Sequence, residues 1–158
     1  MFYYYGRKKR LISYYPQPKY DIIIEPFAGS APYSFKYYQK TVILCDKDPI
    51  ICSIWDYLIN IADEDRINKL PFLKFGEHIN DKKFNNLLHA EKNLIGFFLG
   101  TGSHIPRKKI YNQGNFAYNQ LNKNNREKLA KNLWKIKHWI IYNGDFKDLK
   151  NIKCTWFI

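Results

Sequence analysis

Apolar residues gather into runs along this chain, and the spacing within each run identifies an element. Asp21-Ile22-Ile23-Ile24-Glu25 is a β-branched run with apolar residues facing both ways, the pattern of a buried parallel strand. Pro26, Gly29 and Ser30 break it, and Pro32-Tyr33-Ser34-Phe35-Lys36 fits a short helix, since proline is tolerated in a first helical turn. Thr41-Val42-Ile43-Leu44-Cys45 is a second buried strand, closing on Asp46. Asp48 as cap and Pro49 at the first helical position then predict a helix with apolar residues through Ile59. Ile51, Ile54, Trp55, Leu58 and Ile59 share one of its faces. Strand, turn, helix, strand, helix is the opening of a doubly wound α/β fold.

From about residue 62 to 118 the pattern loosens. Charged residues, asparagines and glycines interrupt it, and a basic cluster stands at Arg107-Lys108-Lys109. Helical spacing returns over Arg126 to His138, with Leu129, Leu133, Ile136 and then Ile140 in step and Asn125 as the expected cap. Ile140-Ile141-Tyr142 and Thr155-Trp156-Phe157-Ile158 read as two more strands, with Asn143-Gly144-Asp145 turning after the first of them. No repeat, low-complexity tract or linker is visible.

At 158 residues this is one domain's worth of chain, and 46% hydrophobic residues suffice for one core. Lysine and arginine number 26 against 14 acidic residues, a formal charge of +12, which points to a polyanionic partner because each contact to phosphate releases counterions. Coding bias toward lysine, asparagine and isoleucine is the plainer explanation of the same excess. Aromatics at 18% suit both packing and base stacking. Cys45, Cys52 and Cys154 are odd in number and lack metal-ligand spacing, so they read as free thiols in a reducing compartment, with no metal expected. Met1 to Leu11 has no apolar core for a signal peptide, and no run approaches the ~20 residues that span a bilayer, so a cytoplasmic protein without a membrane partner is expected.

Candidate chemistry concentrates in Glu25-Pro26-Phe27-Ala28-Gly29-Ser30-Ala31. A tight turn at the carboxyl end of a first parallel strand brings backbone against a ligand, and glycine permits an approach that a Cβ blocks. Asp46 ends the next strand near the spacing at which a carboxylate grips a ribose diol; capping the following helix is its alternative role. Dinucleotide sites normally use three glycines around a pyrophosphate, whereas this turn has one and continues into Tyr33 and Phe35. A nucleoside without phosphates is favoured, and S-adenosylmethionine is the common one.

Tyr4-Tyr5-Gly6-Arg7-Lys8, the Glu25–Ala31 turn and Leu44-Cys45-Asp46, in this order, resemble the opening of the Dam-like adenine-N6 DNA methyltransferases. Those enzymes carry an aromatic-x-Gly-Gly-Lys segment, a Glu-Pro-Phe-x-Gly-x-Gly turn and a strand-ending aspartate. The resemblance covers residues 1 to about 60 and resumes at 143–158. It implies a Rossmann-like S-adenosylmethionine-dependent core from residues 1–60 and 140–158, with an incomplete sheet. Residues 61–139 would be a mostly helical, target-recognition insertion. Within the core it implies Tyr4 and Lys8 near the methionine end of the cofactor, Glu25, Pro26, Phe27 and Gly29 around its bed, and Asp46 on the ribose. Asp145 and Phe146, in Asn143-Gly144-Asp145-Phe146, would lie against the adenine. Arg107, Lys108 and Lys109 fall where the family contacts DNA. Arg7 and Ala31 depart from the pattern, standing where the family has glycines. Each residue also has a plainer role: Lys8 as part of the solvated run Arg7-Lys8-Lys9-Arg10, Asp145 as a turn residue, Phe27 as core. His104 and His138 read as ordinary surface or packing residues.

The resemblance further implies methyl transfer to adenine N6 by an Asp-Pro-Pro-Tyr motif after the fourth strand. There an aspartate and a backbone carbonyl orient the amine while an aromatic stacks on the flipped base. No such motif occurs in this sequence, and Thr155–Ile158 reads as the strand directly before it. An apolar strand left as an open edge is poor design, so a piece of a longer enzyme of the restriction-modification kind is expected, continuing into that motif. Two alternatives stand beside it: a non-catalytic regulatory protein that binds the cofactor or nucleic acid, and an RNA methyltransferase.

Overall fold

In a computed structural model of the chain, which describes residues 2, 4, 11–99, 103–110, 122–149 and 153–158, the two β-branched runs are neighbouring parallel strands. β1 (Ile22–Glu25) and β2 (Thr41–Asp46) pair with Ile24 opposite Ile43. β3 (Ile140–Asn143) joins the far side of β2, with Asp46 opposite Asn143, and β4 (Thr155–Trp156) pairs with β1. The result is an α/β arrangement with a four-stranded, all-parallel sheet in the order β3-β2-β1-β4. Ile23, Ile24, Val42, Leu44 and Cys45 are fully buried, as central strands covered on both faces require. Each large aliphatic side chain so buried contributes about 1.5–3 kcal/mol.

Helix α1 (Pro32–Lys36) follows the turn after β1. Glu25, buried at the end of β1, accepts from the Ser34 N–H (3.2 Å) and hydroxyl (2.5 Å), which ties this helix to its strand. α2 (Pro49–Asp56) starts as the pattern predicts: the Asp48 carboxylate accepts from the Ile50 N–H at 2.8 Å and proline occupies the first turn. Ile51, Ile54, Trp55, Leu58 and Ile59 are all buried. Beyond Asp56 the helix widens into a π-turn over Tyr57–Ile61, where the Lys137 ammonium donates to the Leu58 carbonyl at 3.1 Å.

The residues form two units, one from within Arg7–Ile61 and Leu133–Ile158, the other from Phe2, Tyr4 and stretches of Ala62–Asn132. The first holds the sheet. It takes in Leu133–Trp139, because Leu133, Ile136 and Trp139 are buried and the Trp139 ring lies 5.7 Å from Trp55. In the second, α3 (Glu64–Asn68) is capped by Asp63 and packs against α5 (Lys123–Ala130). Arg126 donates to the Leu70 carbonyl. Between them in sequence comes α4 (His89–Phe98), whose buried Glu91 accepts from the Leu88 N–H at 2.8 Å and from Arg66 at 2.7 Å.

One expected helix differs from its pattern. The cap is Asn122, whose side chain accepts from the Asn125 N–H at 2.9 Å, and α5 ends at Ala130 instead of running to His138. The cause is Asn132. Its side-chain amide takes the Lys128 carbonyl (2.7 Å) that a continuing helix would use, its backbone N–H turns to Leu129 (3.1 Å), and Leu133–Ile136 follows as a separate 3₁₀ turn.

Candidate functional site

The carboxyl ends of β1, β2 and β3 are tied to one another by side chains from all three following loops. Gly29, at φ +43° in the turn after β1, donates its N–H to Oδ2 of Asp46 at 3.2 Å. Oδ1 of the same carboxylate accepts the Asp48 N–H at 3.0 Å, and the Asp46 carbonyl accepts from Gly144 at 3.0 Å. Asp46 is only half-buried. A carboxylate has about four lone-pair directions, so two backbone donors leave about two for a ligand's hydroxyls. The two sequence readings of Asp46 therefore coexist: it organises the start of α2, and it retains acceptor capacity at the surface.

The turn after β1 is held from below. Trp55, buried on α2, donates its indole N–H to the Gly29 carbonyl at 2.8 Å. Ala31 also adopts a left-handed conformation, φ +43°, so a residue with a Cβ bears the strain of that backbone. The Cys45 thiol lies 3.4 Å from the Gly144 carbonyl and the Cys52 thiol 3.3 Å from that of Asp46. Burial, with Asp46 adding to it, pushes both thiols up to about 11, so they are protonated packing groups at neutral pH.

Above this floor lie aromatic rings. Phe27 is 63% exposed and so is no core residue; its ring centroid is 5.7 Å from that of Phe146. β1 and β3 flank β2, so the pair bridges across the carboxyl end of β2. The Trp156 ring, on β4, stands edge-on to Phe146 at 6.5 Å. Asp145 accepts the Lys147 N–H at 3.0 Å on Oδ1 and holds the Lys47 ammonium at 2.8 Å on Oδ2. Lys47 lowers the Asp145 carboxyl below its ordinary range, and the Lys147 backbone N–H adds to this.

Asp46, Asp48, Asp145 and Asp148 thus stand on the loops at one end of the sheet in a chain that carries +12 overall. With Lys47 and Lys147 beside them the carboxylates are still in excess, which suits a neutral or cationic ligand better than a pyrophosphate. Half-exposed rings offer a flat group a stacking surface, and the Asp46 carboxylate offers a diol two acceptors.

The remaining sequence candidates are placed as follows. Glu25 turns inward to Ser34, so it shapes the turn from beneath, and Pro26 connects it to Phe27. Tyr4 belongs to the second unit, edge-on to Phe97 at 5.7 Å. Lys8 lies outside the described residues. In the second unit Arg107 donates its N–H to Gly96 at 3.1 Å, Lys108 accepts from Ile79 at 2.8 Å, and Lys109 bridges His78. The basic segment is thereby fixed along its backbone, with Lys108 and Lys109 exposed. His138 contacts the Lys40 carbonyl at 3.2 Å, and His104 is exposed. Sequence reasoning passed over Lys47, whose signal was a cation directly after the strand-ending carboxylate. It also passed over Trp55 as a turn anchor, for which no local signal exists. Among the described residues no His/Cys/Asp/Glu group could hold a metal, and no helix is long and apolar enough to cross a membrane. Compared with protein-family models and with curated proteins, the chain matches none.

Proposed function

We propose that the first unit is the Rossmann-like cofactor-binding part of an S-adenosylmethionine-dependent DNA adenine-N6 methyltransferase. The observation that supports this is the Gly29 N–H on Asp46 at 3.2 Å, which brings the turn after β1 and the carboxylate ending β2 into direct contact at one end of the sheet. The sheet order β3-β2-β1-β4 adds support, because ligands of open parallel sheets bind beyond the carboxyl ends of the strands. In this reading Asp46 accepts from the ribose hydroxyls, Gly29 gives close approach, and Phe27 and Phe146 meet the flat base. Asp145 accepts from the exocyclic amine of that base.

S-adenosylmethionine supplies a methyl group on a cationic sulfonium, and the carboxylates of Asp46, Asp48, Asp145 and Asp148, which outnumber the neighbouring Lys47 and Lys147, favour a cationic ligand. The chain's own residues bind and orient it. Methyl transfer also needs groups that orient an adenine amine, and no Asp-Pro-Pro-Tyr motif lies among these 158 residues. The activity is therefore proposed for the polypeptide that carries such a motif together with this unit. Duplex DNA is the proposed acceptor, supported by the +12 charge and by the fixed basic segment Arg107-Lys108-Lys109.

Isothermal titration of this chain tests the reading. S-adenosylmethionine should bind, with ATP and NAD at least about tenfold weaker. Asp46→Ala should lose about tenfold or more, since a hydrogen bond to a charged group contributes about 1.5–3 kcal/mol. Equal binding by a folded Asp46→Ala protein removes Asp46 from the site.

A further inference from the structure

Lys47 was not among the residues that the sequence singled out, yet it holds a central contact of the site. It follows Asp46 directly, reaches from the end of β2 to the loop after β3, and sets its ammonium 2.8 Å from Oδ2 of Asp145. The other oxygen of Asp145 is taken by the Lys147 N–H at 3.0 Å. Each oxygen of the carboxylate assigned to the base therefore already carries one donor, which weakens it as an acceptor for another, and one of the two donors is a side chain that can leave. The Lys47 side chain is 71% exposed, whereas that of Asp145 is 27% exposed. An ion pair with one partner in solvent is weak and is screened by salt. The backbone donor, in contrast, is fixed by the 3₁₀ turn Phe146–Asp148.

We propose that Lys47 is an internal competitor for the base-reading carboxylate: its ammonium occupies Oδ2 of Asp145, and an amino-bearing base binds by displacing it. The inference rests on the adenosyl reading above. Displacement leaves the Lys47 ammonium free at the rim. A base with a carbonyl in place of the amine presents an acceptor at that position, which takes a hydrogen bond from Lys47 where it stands, while its ring N1–H remains a donor to Asp145. Lys47 therefore weakens binding of amino-bearing bases and supports binding of carbonyl-bearing ones, so that it sets base preference as well as affinity.

The test is calorimetric binding of S-adenosylmethionine and of its deaminated, inosine-base analogue to three proteins: the parent, Lys47→Met and Lys147→Met. Lys147→Met removes an equal charge from the loop that carries Asp145, from a residue that meets Asp145 through its backbone N–H. Lys47→Met should bind S-adenosylmethionine about threefold tighter at low salt, the gap closing by half-molar sodium chloride. Lys147→Met should show no such gain, and the inosine analogue should bind Lys47→Met no tighter than the parent. The proposal is overturned by unchanged affinity in Lys47→Met, by an equal gain in Lys147→Met, or by an equal gain for the inosine analogue. Binding of S-adenosylmethionine to the parent with no gain in Lys47→Met sinks the competition alone. No binding to any of the proteins overturns the adenosyl reading and the competition with it.

Discussion

At the scale of single residues, the loop after β3 shows how closely the site is packed. A Cβ placed on Gly144 would lie 2.6 Å from the Tyr142 ring. Gly144→Ala should cost less than about 1 kcal/mol in urea unfolding, because only the free end of the half-buried Tyr142 side chain has to move, and adding Tyr142→Ala should remove that contact. Asp145 gives a second residue-level expectation. Its pairing with Lys47 lowers the folded carboxyl below the ordinary 3.8, so its share of stability is held above that value and is lost as pH falls through the lower, folded value. Carboxyl-carbon NMR titration should find Asp145 displaced downward in the parent and returned toward 3.8 in Lys47→Met. The places of Gly29 and Asp46 at the carboxyl ends of β1 and β2 were legible in the sequence as a strand-turn pattern, whereas Asp145 stood out only through the family resemblance. What stayed hidden are contacts between residues distant along the chain. Nothing in a linear spacing puts Lys47 on Asp145 or the Trp55 indole on Gly29. The exposure of Phe27 was equally closed to inspection, since an aromatic beside a proline reads the same in a core or on a rim.

Among the elements, those with an uninterrupted local signal were read correctly and those decided by one competing hydrogen bond were not. β1 and β2 follow from β-branched runs, and the start of α2 from Asp48-Pro49. Asp48→Ala should cost about 1 kcal/mol of stability, measured as a lowered urea midpoint with an unchanged slope, because the Ile50 N–H loses its acceptor. The start of α5 was misread because Asn122 and Asn125 are equally good caps, three positions apart, in a stretch without an apolar stripe. Its end was misread because a hydrophobic period carries no record of the Asn132 amide that stops it. The fourth strand is shorter than its apolar run: pairing covers Thr155–Trp156, and one further bond runs from the Phe157 N–H to Ile24 at 2.9 Å. Phe157 then stacks on Tyr33 at 4.2 Å, so its apolar character serves packing against α1's Tyr33.

For the whole molecule, charge and connectivity matter most. If the basic segment of the second unit meets DNA phosphates, duplex affinity should fall steeply with salt. Lys108→Gln with Lys109→Gln should then flatten the log–log slope by about two, with little change in sequence preference. Fluorescence anisotropy over a salt series measures this, and an unchanged slope removes those lysines from the interface. Connectivity has a different consequence. β1 finds one neighbour, β2, within a few turns of chain, but its other neighbour, β4, arrives only after the entire second unit; the Tyr20 N–H meets the Thr155 hydroxyl across a separation of 135 residues. On the ribosome, the isoleucine-rich edge of β1 emerges long before the strand that covers it. Newly made chains must therefore wait with a sticky border uncovered. Refolding from denaturant should likewise be slow and concentration-sensitive, governed by the late closure of this distant pair.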